Sequence, residues 1–475
     1  MLKGIGSTFI ASGYVALSQI ILLAFSARYL SSIELGWISI GGAIIAFSNV
    51  FIDSGIGTYI IYRRDLKRKE LNSLLLCSFI LAVASFSFIY FFANNIESFF
   101  SSPGLGEILK LYALLLLLSP FMSQFQALLV LEQKLGKLGL IDVITKTAGV
   151  GLSVVMLVLN FGISAIIAGL LLSTFLKSIF MHLSLKDDFK ANCNGFEWSI
   201  VPFAWNYCRF QIGGQLLNFA RMYVDTIIIG KVFDVSQLGV YSLAKELVGK
   251  IPALLSPIYG KIVFPAMTRV KENKNLRSEL FSGVNLIVVY INAIIFSMMA
   301  IFSDSIVMLL YGGGEDVMVY IKILCIFFMI RGGGIVNGFF LQSLGKVRRE
   351  FYWNLFSSIM FSTCIYFFSM NGMLYMLWGM VSVQVVFLVL SFFIFHYPSY
   401  PIKVSKYLAY TFSILISGSV FIFAEVLYEF EIELYLSIIS AMLTLLFTTF
   451  LVYHLLGGKN ALINLRDIYI GAKPN

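Results

Sequence analysis

Six polar side chains form a stripe along one of the long hydrophobic segments of the chain, residues 202–230. At about 100° per residue, all six fall within about 120° of one another on a helix. They are Tyr207, Gln211, Gln215, Asn218, Arg221 and Asp225. Facing lipid, a central arginine or aspartate would cost about 2.5 to 3.5 kcal/mol on the insertion scale. The stripe must therefore face protein or water. Two interpretations remain open: a wet cavity that binds a polar ligand, or helix–helix hydrogen bonding with Arg221 and Asp225 as an i, i+4 pair.

Three further cations lie deep in hydrophobic segments of the second half of the chain. They are Lys245, Lys250 and Arg331, and all three are too far from the segment ends for easy snorkelling. Glu246 can pair with Lys250, one helical turn away. Several deep cations with few deep anions favour an anionic substrate group such as phosphate or pyrophosphate.

Two buried acids are candidates for gating or coupling. Asp53 is the main buried acid of the first half of the chain, and Asp225 ends the polar stripe. No phosphate-binding loop, zinc-binding helix motif, nucleophile elbow or paired-carboxylate loop occurs in the sequence. We therefore expect no catalytic residue, no metal site and no cofactor.

Membrane-spanning helices are the elements that must position these side chains. Of the 475 residues, 59% are hydrophobic and 12% charged, against about a quarter charged in ordinary globular proteins. This composition excludes a soluble protein. With about 20 to 25 residues for each crossing, the apolar runs predict about fourteen spans and short connections. The spans are 7–29, 35–61, 71–93, 108–131, 140–160, 162–183, 202–230, 236–264, 278–303, 319–344, 350–369, 373–396, 406–428 and 434–456.

The distribution of lysine and arginine predicts the orientation of these spans. Alternate loops hold most of the basic residues, including the run 63–69, whereas the opposite loops have only Arg28, Lys110 and Lys231 at span edges. By the positive-inside rule, both termini are cytoplasmic. The net charge of +9 therefore indicates a basic membrane face rather than a nucleic-acid partner.

An internal repeat predicts two lobes. Residues 28–39 align with residues 231–242 at an offset of about 203 residues, sharing Leu-Gly-x-x-Ser after a basic residue. Six spans per copy bring both copies into the membrane in the same direction. We predict an all-α integral membrane protein with two pseudo-symmetric six-helix lobes around a central cavity, plus two C-terminal helices. The domain bounds are 1–190, 191–400 and 401–475.

The chain resembles the bacterial polysaccharide-transporter family of the multidrug/oligosaccharidyl-lipid/polysaccharide exporter superfamily. The matching positions are Asp53-Ser-Gly55, Asp225–Gly230, Leu238–Ala244, Pro252, Phe264-Pro265, Tyr311-Gly312 and Gly345-Lys346. The resemblance implies a flippase for undecaprenyl-diphosphate-linked repeat units of O-antigen, capsule or exopolysaccharide in the bacterial inner membrane, working by alternating access. It implies membrane lipids, polysaccharide polymerase and chain-length proteins as partners.

Three alternatives remain open beside a flippase of this kind. A drug or cation antiporter would rely on buried acids more than on deep cations, whereas a peptidoglycan-precursor flippase is harder to separate. A membrane polysaccharide polymerase or ligase would be an enzyme, and would be expected to carry long outer loops with catalytic polar residues. The longest outer connections here are near 94–107 and 304–318, which favours a transporter.

Overall fold

A computed structural model describes residues 2–53, 55–63, 65–189, 195–269, 274–344 and 346–391. Most of these residues are helical, and none of them lies in a strand. The helices of the first half are α1 (Leu2–Tyr29), α2 (Ser32–Asp53), α3 (Ile56–Tyr62), α4 (Arg68–Phe100), α5 (Leu105–Leu131), α6 (Leu135–Val158) and α7 (Ser164–Ser184). Those of the second half are α8 (Ile200–Val232), α9 (Val235–Arg269), α10 (Lys274–Ile301), α11 (Ser303–Tyr311), α12 (Glu315–Gly332), α13 (Ile335–Ser343), α14 (Val347–Ser369) and α15 (Met373–Ser391).

Each of the first twelve predicted spans coincides with helix in the structure. Two of those spans are broken helices, since α2 and α3 share the second span and α12 and α13 share the tenth. Among the described residues, nine helical segments are long and apolar enough to cross a membrane. The chain is therefore a multi-pass, all-helical membrane protein. The spans 406–428 and 434–456 lie outside the described residues, so the total of fourteen stays a prediction.

The chain divides into two compact units, Met1–Leu243 and Ala244–Asn475. In the first unit, α5 packs against α2, α3, α4 and α7, while α6 packs against α1 and α7. Helix α8 packs against α2, α3 and α4. A core cluster that includes Tyr59, Leu128, Met181 and Cys208 joins one end of these helices. The predicted boundary between residues 190 and 191 stays a prediction.

The second unit has its own core. Helix α12 packs against α10, α11 and α15, and α14 packs against α13 and α15. Buried side chains from α9, α10 and α13 form one cluster, in which the rings of Phe281 and Phe340 lie 4.9 Å apart. Each unit thus buries apolar side chains within itself.

The two segments that align as a predicted repeat cross one another inside the first unit. Ser39 donates a hydrogen bond of 2.5 Å to the Ser242 hydroxyl, and these residues are 203 positions apart. A Cβ atom on Gly36 would overlap the Val235 carbonyl oxygen, and one on Gly239 would overlap the Ser32 carbonyl oxygen. Only glycine lets two helices approach this closely. Gly36 and Gly239 are 203 positions apart, and so are Ser32 and Val235, the residues that they contact. The crossing of α2 and α9 therefore has the reciprocal contacts of a local two-fold axis.

Candidate functional site

The predicted polar stripe lies on one uninterrupted helix, α8. Its one proline, Pro202, is in the first turn, where the missing N–H breaks no intrahelical bond. Along the stripe the exposure of the side chains varies: Asn218 is exposed and Asp225 is buried, with 5% of its surface accessible. The other four side chains, Tyr207, Gln211, Gln215 and Arg221, are half-buried.

Stacked tyrosines anchor the first end of the stripe. The ring of Tyr207 lies 5.4 Å from the ring of Tyr62, nearly parallel to it, and 5.7 Å from the ring of Tyr59. Arg63 donates a hydrogen bond of 3.4 Å from its guanidinium to the Tyr59 hydroxyl. Both partner tyrosines lie on α3, so this short helix fixes the beginning of the polar face.

Next along the stripe, Gln211 lies against the break between α2 and α3. Gly55 has a φ of 78°, in the left-handed region that glycine adopts without strain. A Cβ atom on Gly55 would lie 2.8 Å from Cβ of Gln211, so the aliphatic part of that glutamine packs on the backbone of the break. Asp53, immediately before the break, accepts a short hydrogen bond from the Ser123 hydroxyl of α5. The structure thus brings Gln211 close to the segment that carries Asp53.

Asp225 is the anchor at the other end of the stripe. Its Oδ1 accepts a hydrogen bond of 2.8 Å from the backbone N–H of Thr226, and its Oδ2 accepts one of 2.5 Å from the Tyr241 hydroxyl. Tyr241 has 0% of its surface accessible and lies on α9. A buried carboxylate requires such partners. Asp225 therefore joins α8 to the start of α9, next to Ser242 of the crossing.

The middle of the stripe remains accessible between these two anchors. The side-chain amides of Gln211 and Gln215 form no hydrogen bond with any other described residue. Within the described part of the chain, the amide nitrogen of Asn218 makes one long contact, of 3.9 Å, to the Met222 sulfur. Three amide groups are thus available to donate and accept hydrogen bonds, which is what recognition of hydroxyl-rich groups such as sugars requires.

The three predicted cations of the second unit have different surroundings. Lys250 forms an ion pair of 2.8 Å with Glu246, as the i, i+4 spacing predicted, and keeps 20% of its side chain accessible. The guanidinium of Arg331, in the last turn of α12, lies 5.8 Å from the ring centre of Phe327 and 5.9 Å from that of Phe328. Lys245 is half-buried.

Sequence reasoning missed the partners of both acids, the half-buried Asp53 and the buried Asp225. Ser123 is a common serine in apolar surroundings, and although Tyr241 lies in the matched stretch Leu238–Ala244, nothing in that stretch indicates its contact with Asp225. Tyr59 and Tyr62 were also missed, although their i, i+3 spacing beside a basic run was visible. Over the part of the chain that the structure describes, no group of three or more His, Cys, Asp or Glu side chains could hold a metal ion.

Comparisons with known proteins agree with this architecture. The family model described as "Polysaccharide biosynthesis protein" matches residues 25–319. The amylovoran biosynthesis protein AmsL of Erwinia amylovora is 29% identical over 310 residues, which cover 64% of this chain and 79% of the relative. The lipopolysaccharide biosynthesis protein WzxC of Escherichia coli K12 is 22% identical over 382 residues, 78% of this chain and 75% of the relative.

Among solved structures, the lipid II flippase MurJ in an inward closed conformation has the same fold. The TM-score is 0.73 over 95% of this chain and 99% of that chain, at 14% sequence identity. Since the family model matches more than half of the sequence, the chain belongs to the polysaccharide biosynthesis protein family. The family resemblance drawn from the sequence is therefore confirmed.

Proposed function

We propose that this membrane protein is a flippase that moves undecaprenyl-diphosphate-linked oligosaccharide repeat units across the bacterial inner membrane. The accessible middle of the α8 polar stripe is the observation that carries this proposal, because a multi-pass member of a polysaccharide biosynthesis family has no structural need for unpaired amides there. The names of relatives in amylovoran and lipopolysaccharide biosynthesis support a saccharide substrate. The flippase fold supports transport rather than polymerisation.

Each part of the substrate would have its own chemical partner. Gln211, Gln215, Asn218 and Tyr207 bind the sugars, since amides and aromatic rings suit hydroxyls and sugar faces. Arg221, Lys245, Lys250 and Arg331 hold the pyrophosphate. The prenyl chain stays in the bilayer. The framework would be fourteen spans, in two six-helix lobes plus two C-terminal helices, with both termini cytoplasmic. A polymerase and chain-length proteins would take up the product.

Alternating access gives the crossing of α2 and α9 a role as the outer gate. Both helices begin at ends that the charge distribution predicts to be outside, and Asp225 couples the crossing to the substrate helix through Tyr241. Asp53, beside the break between α2 and α3, would act near the inner end. In this mechanism α2 and α9 separate when the protein opens outward.

The first experiment measures transbilayer movement of a labelled polyprenyl-diphosphate oligosaccharide in proteoliposomes. Arg221→Ala, Lys250→Ala and Arg331→Ala are compared with Lys137→Ala, which removes an exposed cation at the start of α6. We expect at least a tenfold loss of movement in the first three variants and an unchanged rate in the fourth. Equal movement in all four would contradict the binding roles. Lengthening of the glycan without movement would instead identify a polymerase.

A disulfide tests the gate separately. Ser39→Cys with Ser242→Cys, in a background lacking the five native cysteines, joins the crossing under oxidation. We expect oxidation to stop movement and reduction to restore it, while either single cysteine leaves the rate unchanged. A fully cross-linked protein that still moves the substrate would exclude α2 and α9 as the gate.

A further inference from the structure

An apolar groove lies between α2, α4 and α8, beside the candidate binding face of α8. Its volume is about 830 Å³, within the range of about 300 to 1,000 Å³ of ligand pockets. Phenylalanine rings dominate the lining: Phe47 and Phe51 from α2, Phe88, Phe92 and Phe99 from α4, and Phe219 from α8. Such a lining offers water few hydrogen bonds, so a hydrocarbon ligand is the fitting occupant.

The groove lies wholly within the first unit and is open to its surroundings. Phe88 keeps 60% of its surface accessible, and Phe92 and Phe99 keep nearly half of theirs. At the groove, α2 and α8 contact each other through the rings of Phe47 and Phe219, which lie 5.2 Å apart. In a membrane protein, exposed rings of this kind contact bilayer lipid, so a lipid chain can enter from the side.

A cation lies at one end of the groove. Lys231, in the last turn of α8, donates a hydrogen bond of 2.7 Å to the Phe99 carbonyl oxygen, and its ammonium lies 4.7 Å from the centre of the Phe99 ring. The side chain remains exposed. The ammonium carries three N–H donors, so two remain for a lipid phosphate after the bond to the carbonyl. An apolar groove with a cation at one end matches an anionic lipid. The acyl chain would lie in the groove, and the phosphate would contact the Lys231 ammonium.

We propose that this groove binds one acyl chain of an anionic phospholipid, whose phosphate is held by Lys231. Phospholipid is the bulk component of the bilayer, so mass action favours its chain over that of a rare substrate. The bound chain fills the space between α8 and the pair α2 and α4. Ile40 lines the groove and directly follows Ser39 of the crossing, so an occupied groove stabilises the closed crossing.

Photo-crosslinking in proteoliposomes tests the site without relying on transport. The probes are phosphatidylglycerol and phosphatidylcholine with the same diazirine-bearing acyl chain, and the adducts are located by peptide mass spectrometry. We expect phosphatidylglycerol to label residues 81–100 at least threefold more than phosphatidylcholine does. Equal labelling by the two lipids would overturn the role of an anionic headgroup.

Three variants make the test specific. Ala84→Trp fills the groove from an exposed lining position, and Lys231→Gln removes the cation without adding bulk. Val155→Trp, at an exposed apolar position of α6, is the matched control. We expect Ala84→Trp to reduce labelling by both lipids at least fivefold, Lys231→Gln to abolish the preference for phosphatidylglycerol, and Val155→Trp to change neither. Labelling that both groove variants leave intact would overturn the site.

Competition separates this proposal from the substrate pathway. Unlabelled phosphatidylglycerol should suppress the adduct, whereas polyprenyl phosphate at the same concentration should not. Suppression by polyprenyl phosphate alone would assign the groove to the substrate chain and overturn the phospholipid site. Either result leaves the transport measurements with Arg221→Ala and Lys250→Ala unaffected, so the two proposals can fail independently.

Discussion

The crossing of α2 with α9 and the polar face of α8 are neighbouring regions of one unit, and they differ in how their polar side chains are hydrogen-bonded. At the crossing, each polar group has a partner: Ser39 bonds Ser242, and Tyr241 bonds Asp225. On the α8 face, the amides of Gln211 and Gln215 are bonded to no other described residue. Polar residues inside a membrane protein can therefore serve structure or ligand binding, and their hydrogen bonds distinguish the two. Substitutions at the crossing should lower stability, and those on the face should lower transport.

The strongest way to break the crossing is Gly239→Val. The added side chain would overlap the Ser32 carbonyl oxygen, and backbone cannot move aside as a flexible side chain can. Overpacking of this kind costs about 3 kcal/mol. Denaturant unfolding in detergent measures the loss. Gly42→Val on α2, where no atom lies within 4 Å of a new Cβ, is the control and should leave stability unchanged. Equal stability of the two variants would mean that the crossing is not closely packed.

A smaller loss is expected from Tyr241→Phe. It removes the hydroxyl that donates to Asp225 and leaves a buried carboxylate oxygen without that donor, at a cost of about 2 kcal/mol. Tyr112→Phe is the matched control, because the buried Tyr112 hydroxyl has no hydrogen-bond partner among the described residues. We expect the control to be neutral or slightly stabilising. A double-mutant cycle with Asp225→Asn measures the coupling, and a coupling energy near zero would contradict the structural role of the pair.

The smallest change in stability is expected on the accessible face. Gln215→Ala and Asn218→Ala remove amides that make no strong protein contact, so the free energy of unfolding should change by less than about 0.5 kcal/mol. Movement of the labelled oligosaccharide should nevertheless fall several-fold, because the sugar loses its hydrogen-bond partners. A marked loss of stability with normal transport in these variants would reverse the assignment of the two regions.

The features that could be predicted from the sequence are local ones. The apolar runs predicted helix at the described residues of the first twelve spans, and the 3.6-residue period predicted the continuous stripe on α8, because both depend on neighbouring residues. The pair of Glu246 and Lys250 followed from i, i+4 spacing for the same reason. In contrast, Ser123 is 70 residues from Asp53. Helix packing brings them together, and a single sequence contains no sign of that contact.

The break between α2 and α3 was also beyond the sequence pattern, whereas the run Gly332 to Gly334 indicated a loosened helix where α12 ends and α13 begins. The run 35–61 is apolar enough to be predicted as one span, yet α2 ends at Asp53 and α3 begins at Ile56, with Gly55 in the left-handed region between them. Hydropathy reports how apolar a segment is, but it does not report backbone direction. The apolar groove escaped prediction for a related reason, since its rings come from three helices and no single helix shows it.

The reciprocal crossing has a consequence for the descent of the chain. In a symmetric dimer of identical halves, a residue on the two-fold axis contacts the same residue of the other half. In a duplicated protein, the same contact joins a residue to its counterpart in the second copy. Ser39 and Ser242 have this relation, and a single substitution in such an ancestor would have altered both sides at once. If the two halves arose by duplication and fusion, the two positions became separately mutable only after the fusion. Relatives in which one of these serines has changed should therefore show a compensating change at the other, so covariation between the halves should be concentrated at this crossing.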